Sequence, residues 1–368
     1  MKAQINPWIS TDMDLSKMTW LVRDFEESIS ICKITDDSFL IGGWDGKLIR
    51  YLHDGTVVWQ TIWDDRISGI ESNGSKVFAT SGLHITCTCY DTGEKIWSKA
   101  LEGSSDALVT NEQKVYVVSS VYDIEHYDFL ESALWTFSLD GELLNVDKVD
   151  ERPWSIITTR KEILLGIGRP KCGIAKINDE MNIQLMHSTD SPITCGLSGR
   201  EQSLFGLANG SIINDKNELI YSQQSDSVEM LICVPEGFVA SFESGKLICG
   251  DANGNLFWTK NLSKIYTHSD GAHSKDNHHF TGFYDGQYDK VSCRISGSGE
   301  EIASMQTSKP TSSDGNDKWV IFGTESGKFY VWEAELLERR LSEKSTIETS
   351  EDDLRKQALR DRLRKFRS

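Results

Sequence analysis

The sequence predicts an all-β fold: a closed β-propeller of eight four-stranded blades, with seven as the alternative count, followed by a charged C-terminal helix. Three observations predict it. A segment of three or four apolar residues ending on a small residue recurs eight times, and its anchors at 42, 80, 118, 166, 206, 241, 282 and 323 lie 35 to 48 residues apart. In five copies a Gly follows four residues after the anchor (Gly46, Gly210, Gly245, Gly286, Gly327), where a tight hairpin needs a residue that accepts positive φ. A second turn follows each strand pair, and Trp59, Trp97 and Trp258 each stand four residues past its Gly (Gly55, Gly93, Gly254). Four short strands at a period near 40 residues fit a propeller blade better than a sandwich, whose strands do not repeat at that interval.

The elements follow in order. Residues 1–14 read as an N-terminal extension without the apolar run of a secretory signal. Residues 15–333 read as the propeller. The strand-like run Met18-Thr-Trp-Leu-Val-Arg-Asp-Phe25 has no blade of its own, and the last copy, Trp319 to Glu333, lacks a fourth strand. Pairing the two closes the ring and leaves no open edge, with Trp20 as the aromatic of the eighth blade. The 48-residue gap between anchors 118 and 166 is explained by an insertion, Val121 to Ser132. Residues 334–349 read as a linker. Residues 350–368 read as a basic amphipathic helical tail, with Ser350 as N-cap and Leu359, Leu363 and Phe366 as a narrow apolar stripe.

Composition narrows the function classes. The chain is 38% hydrophobic and 26% charged with a net charge of −17, so its body repels nucleic acid and anionic membrane. The exception is the end of the tail, residues 354–368, where Arg355, Lys356, Arg360, Arg362, Arg364, Lys365 and Arg367 stand against a single acid, Asp361. Nucleic acid is a partner only through that segment. No stretch approaches the roughly 18 apolar residues of a membrane span. Eight dispersed cysteines suit reduced, mostly buried thiols, and the expected location is cytoplasmic.

Asp91-Thr-Gly-Glu-Lys-Ile-Trp97 resembles the repeat of pyrroloquinoline-quinone-type (PQQ-like) propellers. Gly43-Trp-Asp-Gly-Lys-Leu-Ile49 and Gly323-Thr-Glu-Ser-Gly-Lys-Phe-Tyr-Val-Trp332 are similar to WD repeats. The likeness covers about residues 15 to 332 and is one of fold, since both families share the blade and differ widely in function. The Trp-Asp pair that ends a WD-repeat strand is absent from most copies, with Trp332-Glu333 the nearest approach. PQQ-dependent dehydrogenases carry an adjacent Cys-Cys pair at the cofactor. This sequence has none, and no cofactor is expected.

No nucleophile elbow, zinc-protease helix or phosphate-binding Gly-rich loop is present, and no catalytic residue is assigned. His268, His273, Asp276, His278 and His279 crowd into twelve residues, but their spacing matches no metal motif and a polar loop between blades is expected. Cys87 and Cys89 share one face of a strand and read as packing. What remains is the propeller face where the turns between second and third strands meet the connections between blades. It should present Trp44, Asp45, Trp63, Arg66, His84, Tyr122, His126, Tyr127, Trp154, Arg169, Tyr284 and Tyr288, the side-chain types that anchor interfaces. The reading is a noncatalytic scaffold that binds unidentified protein partners through this face, with the tail for docking. Two alternatives stand beside it: an enzyme with its site in the channel, either a quinoprotein-like oxidoreductase or a hydrolase, and a nucleic-acid- or ribosome-associated factor that binds through the tail.

Overall fold

The computed structural model describes residues 13–343 except 126–127, 200–201 and 224. Among these residues the strands form eight antiparallel meander sheets. Blades 1 to 8 begin at Ile29, Ile67, Ser104, Pro153, Ile193, Val228, Lys264 and Pro310, each numbered from its inner strand. The inner strands contact one another in sequence, and that of blade 8 contacts that of blade 1, so the ring is closed with eight blades.

Closure follows the expected design. Leu21–Asp24 is the outer strand of blade 8 and pairs antiparallel with Lys328–Glu333, Leu21 lying opposite Val331. Only part of the expected Met18–Phe25 strand is extended, because Leu15–Met18 forms a 3-10 turn capped by Asp14. Leu15 and Met18 are buried there beside Trp332, whose Nε1 donates to the Leu15 carbonyl at 3.2 Å. The boundary of the extension also shifts. Met13–Asp14 adds a fifth, parallel strand to blade 7, with Met13 opposite Ala303.

The small anchors have a steric cause. A Cβ on Gly42 would lie 2.7 Å from Ile67 Cβ, and one on Gly206 would lie 2.5 Å from Val228 Cγ1. On Gly323 it would lie 2.5 Å from Ile29 Cγ2. Each of these three glycine anchors thus receives the first inner-strand residue of the following blade. A side chain there would wedge two sheets apart. The same junctions carry a hydroxyl latch: Ser30 Oγ donates to the Ile67 carbonyl at 2.6 Å and Thr311 Oγ1 to the Ile29 carbonyl at 2.7 Å.

The outer aromatics also pack between sheets. Trp59 Nε1 donates to the Tyr90 carbonyl at 2.7 Å, Trp97 Nε1 to Leu139 at 3.1 Å and Trp258 Nε1 to Ser296 at 2.7 Å, each in the next blade. Trp20 repeats the bond from blade 8 to the His53 carbonyl of blade 1, at 2.8 Å. It therefore occupies the aromatic position assigned to it.

Residues 334–343, expected as the start of a linker, form a helix that follows blade 8 directly. The reason is an apolar stripe in a charged sequence: Ala334 and Leu337 are buried and Leu341 packs beside them on the blade 7–8 core. Residues 350–368, and with them Arg355, Lys356, Arg360, Arg362, Arg364, Lys365 and Arg367, lie outside the described residues.

Candidate functional site

In a closed ring of meander blades, every turn between second and third strands and every blade-to-blade connection emerges on one face. The sequence builds this face with tight turns: Gly46, Gly210, Gly245, Gly286 and Gly327 all have φ between +82° and +101°. On Gly46 a Cβ would lie 2.1 Å from the Trp63 carbonyl oxygen, so the turn and the connection to blade 2 are held together backbone to backbone.

The assigned residues form two patches and an outlier. In the first, between blades 1 and 2, the Arg66 guanidinium lies 4.2 Å over the ring of exposed Trp44. Trp63 and His84 line an adjoining cleft of about 540 Å³ with Asp64, Asp65 and Leu83. The second patch spans blades 3 and 4. The insertion lengthens the hairpin strands Lys114–Asp123 and Asp128–Ser138 to 10 and 11 residues, where blade 1 uses six. Tyr122 pairs with Phe129 across the hairpin, their centroids 5.1 Å apart, and Phe129 lies 6.4 Å from Trp154. Arg152 fills the space between, 3.4 Å from the Phe129 centroid and 3.8 Å from that of Trp154. Its Nη2 reaches Asp106 Oδ1 at 3.2 Å.

This stack is a rigid base for an exposed apolar rim. Tyr122 and Trp154 are each about half exposed, Leu130 is 59% exposed and Ile124 76%. Arg169 borders the rim, its carbonyl accepting from the Arg152 amide at 3.3 Å. Tyr284 sits apart on blade 7, its hydroxyl donating to the Gly286 carbonyl at 2.8 Å. His126 and Tyr127 lie outside the described residues. Sequence reasoning missed Phe129 and Arg152, although the signal was present: Phe129 lies in the insertion, and Arg152-Pro153-Trp154 opens blade 4 from a connecting loop.

The channel wall offers one charged group of note. Lys33 Nζ binds Glu71 Oε1 at 2.9 Å, and Asp314 Oδ2 accepts from the Ile34 amide at 2.7 Å, so carboxylates from blades 2 and 8 flank a cation of blade 1. Burial works against the Lys33 ammonium, yet Glu71 and Asp314 hold its pKa above the ordinary value. Burial pushes the Asp314 carboxyl up despite Lys33. The group reads as a polar seam at the closing junction.

The histidine cluster is not a loop between blades. His268, His278 and His279 lie on the first two strands of blade 7, and only His273 lies in the hairpin joining them, on the opposite face of the ring. His279 is fully buried and stacks on Trp258 at 5.4 Å. His273 Nε2 lies 3.0 Å from Asp270 Oδ2. Among the described residues no group of three or more His, Cys, Asp or Glu side chains is placed to hold a metal ion. The eight cysteines are unbridged thiols, four buried and four half-buried, and burial pushes the Cys87 thiol up to about 12.

Comparison with known proteins agrees with this architecture. A family model described as outer membrane protein assembly factor BamB matches residues 45–167. BamB from Moraxella catarrhalis superposes with a TM-score of 0.65 at 13% identity, covering 86% of this chain and 99% of that one. Sqt1 of Saccharomyces cerevisiae gives 0.66 at 12%, covering 86% and 98%, and the computationally designed Ika8 protein gives 0.67 at 15%, covering 84% and 98%. No curated protein sequence matches the chain. At identities this low the likeness is one of architecture: it shows a β-propeller fold, with the family-model match confined to residues 45–167.

Proposed function

We propose that this propeller is a noncatalytic cytoplasmic platform that binds a protein partner through the turn-and-connection face, with the basic tail as a second docking element. One observation carries the reading: the lengthened blade 3 hairpin exposes Tyr122, Ile124 and Leu130 beside Trp154, over a stack already fixed by Arg152 and Phe129. Large rings and aliphatic side chains on a preformed support bind with little ordering cost, which is how interface anchors work. Loops held by a rigid scaffold are where binding residues concentrate. The Trp44–Arg66 pair on the same face offers a second, smaller contact. A family model that bears the name of an assembly factor supports a scaffold role.

The test is affinity capture of the full chain from its native cell, compared with Tyr122→Ala and Trp154→Ala variants of unchanged melting temperature. A stoichiometric partner recovered with the wild type and reduced at least tenfold with each variant supports the reading. Equal recovery with both variants sinks it.

A further inference from the structure

We infer that the ring carries a built-in opening point at the outer edge of the junction between blades 3 and 4, an inference independent of the platform reading. It comes from a pairing that three other junctions share. Where blades 1, 2 and 6 meet their successors, the fourth-strand indole lies against the turn glycine of the next blade. A Cβ on Gly93 would lie 2.6 Å from Trp59, one on Gly141 2.7 Å from Trp97 and one on Gly299 2.6 Å from Trp258. Ring and glycine are a matched pair, and the indole N–H is bonded in the same contact.

The junction between blades 3 and 4 departs from this pairing at both positions. Four residues past Gly141 stands Asn145 in place of an aromatic residue, and the matching turn position of blade 4 is Met181. Met181 holds φ +66° where Gly93, Gly141 and Gly299 hold +68° to +85°, and its amide donates to the Asn178 carbonyl as that of Gly141 does to Ser138. The two changes fit each other: a side chain at 181 has room because no indole stands opposite. What replaces the ring is polar. Asn145 Nδ2 donates to the Met181 carbonyl at 3.0 Å and to Asn182 Oδ1 at 2.8 Å, and the Ile183 amide donates to Asp147 Oδ2 at 2.6 Å. Asn145, Asp147, Met181 and Asn182 are all half-buried, whereas Trp59 and Trp258 are buried. Water competes for such bonds, so each adds little net, while a buried indole adds apolar contact that water cannot replace. A cleft of about 440 Å³ enters the same junction between Asn111, Lys114 and Tyr116 of blade 3 and Ile163, Ile177 and Met181 of blade 4. Few dry contacts and solvent-reachable hydrogen bonds mark a region that opens locally. In the opening, strand Leu143–Val149 lifts off its own sheet and off the turn at 178–182, while the inner strands Ser104–Thr110 and Pro153–Thr158 stay packed.

The test is native-state hydrogen exchange of the full chain, read by mass spectrometry on the ladder amides of the fourth strands. Those of Leu143–Val149 should exchange about tenfold faster than those of Val57–Ile62, Lys95–Ala100 and Leu256–Asn261. Asn145→Trp combined with Met181→Gly rebuilds the pair. It should bring Leu143–Val149 down to the rate of the other three strands and raise the melting temperature. Asn145→Trp alone should do neither, because the Met181 side chain occupies the place of the ring. Conversely, Trp97→Asn should speed exchange of Lys95–Ala100 about tenfold.

Wild-type exchange at Leu143–Val149 that is no faster than at the three comparison strands overturns the inference. So does fast exchange that a folded double variant leaves unchanged, since the missing pair is then not its cause. Should the double variant fail to fold, the wild-type ranking and Trp97→Asn decide. A Trp97→Asn chain whose Lys95–Ala100 strand exchanges like the wild type shows that the indole does not pin the strand, and the inference falls with it.

Discussion

His268 and His279 show how burial sets a charge state. Burial pulls His268 down to about 4, with the Met230 backbone opposing only in part, and drives His279 far below the usual imidazole range, with Arg294 and His268 adding to the effect. Both are neutral in the folded chain near neutral pH. As pH falls from about 6.5 to about 4 the unfolded chain gains protons that folded His268 refuses. Stability present above pH 6.5 is therefore lost across that window, on the order of 3 kcal/mol for His268 alone. His273 acts in the opposite sense. Burial works against its imidazolium, but Asp270 raises its pKa, giving stability that is present in acid and lost as pH rises through the folded value. We predict a melting temperature that declines from about pH 6.5 toward pH 4, with a separate loss above pH 6.5 as His273 deprotonates. His279→Phe, which keeps a ring against Trp258, should reduce that decline. An identical pH profile for wild type and variant would contradict this account. The sequence concealed these roles because a polar run containing His, Ser, Asp and Gly reads as loop, and only cross-strand pairing shows that three of the four histidines sit on strands.

At the scale of the blade, most of the design was legible. The glycine anchors were visible because sterics at those blade junctions leave no room for a Cβ, and the hairpin Gly residues were visible because left-handed backbone excludes most others. Gly323→Val should cost about 1–3 kcal/mol in denaturant unfolding, because its branched side chain meets Ile29 at the closing junction. Gly74→Ala, at a turn with positive φ but open space around it, should cost less. If Gly323→Val proves the milder change, packing between blades is not what the anchor serves. The insertion was also legible, from the 48-residue spacing. What it builds was not. Arg152 lies 23 residues beyond Phe129 and meets it only because the blade 3 hairpin leans over the connection to blade 4. The helix over 334–343 escaped notice because only Ala334, Leu337 and Leu341 of its charged sequence face the core.

For the whole molecule, the decisive feature is that one N-terminal stretch serves two blades. Met13–Asp14 extends blade 7, Leu15 and Met18 fill the core between blades 7 and 8, and Leu21–Asp24 completes blade 8. Removing residues 1–27 should lower the melting temperature sharply, since it strips the closing strand and exposes Trp332 and Val331. A truncated chain that melts with the intact one would show that the remaining arc is self-sufficient. The arrangement also sets a timetable for biogenesis. Leu15 and Trp332 meet across 317 residues of chain. The Leu15 segment must therefore stay undocked until blade 8 has been synthesised, and a nascent chain stalled before blade 8 would carry a sticky, unsatisfied segment that a chaperone would have to shield.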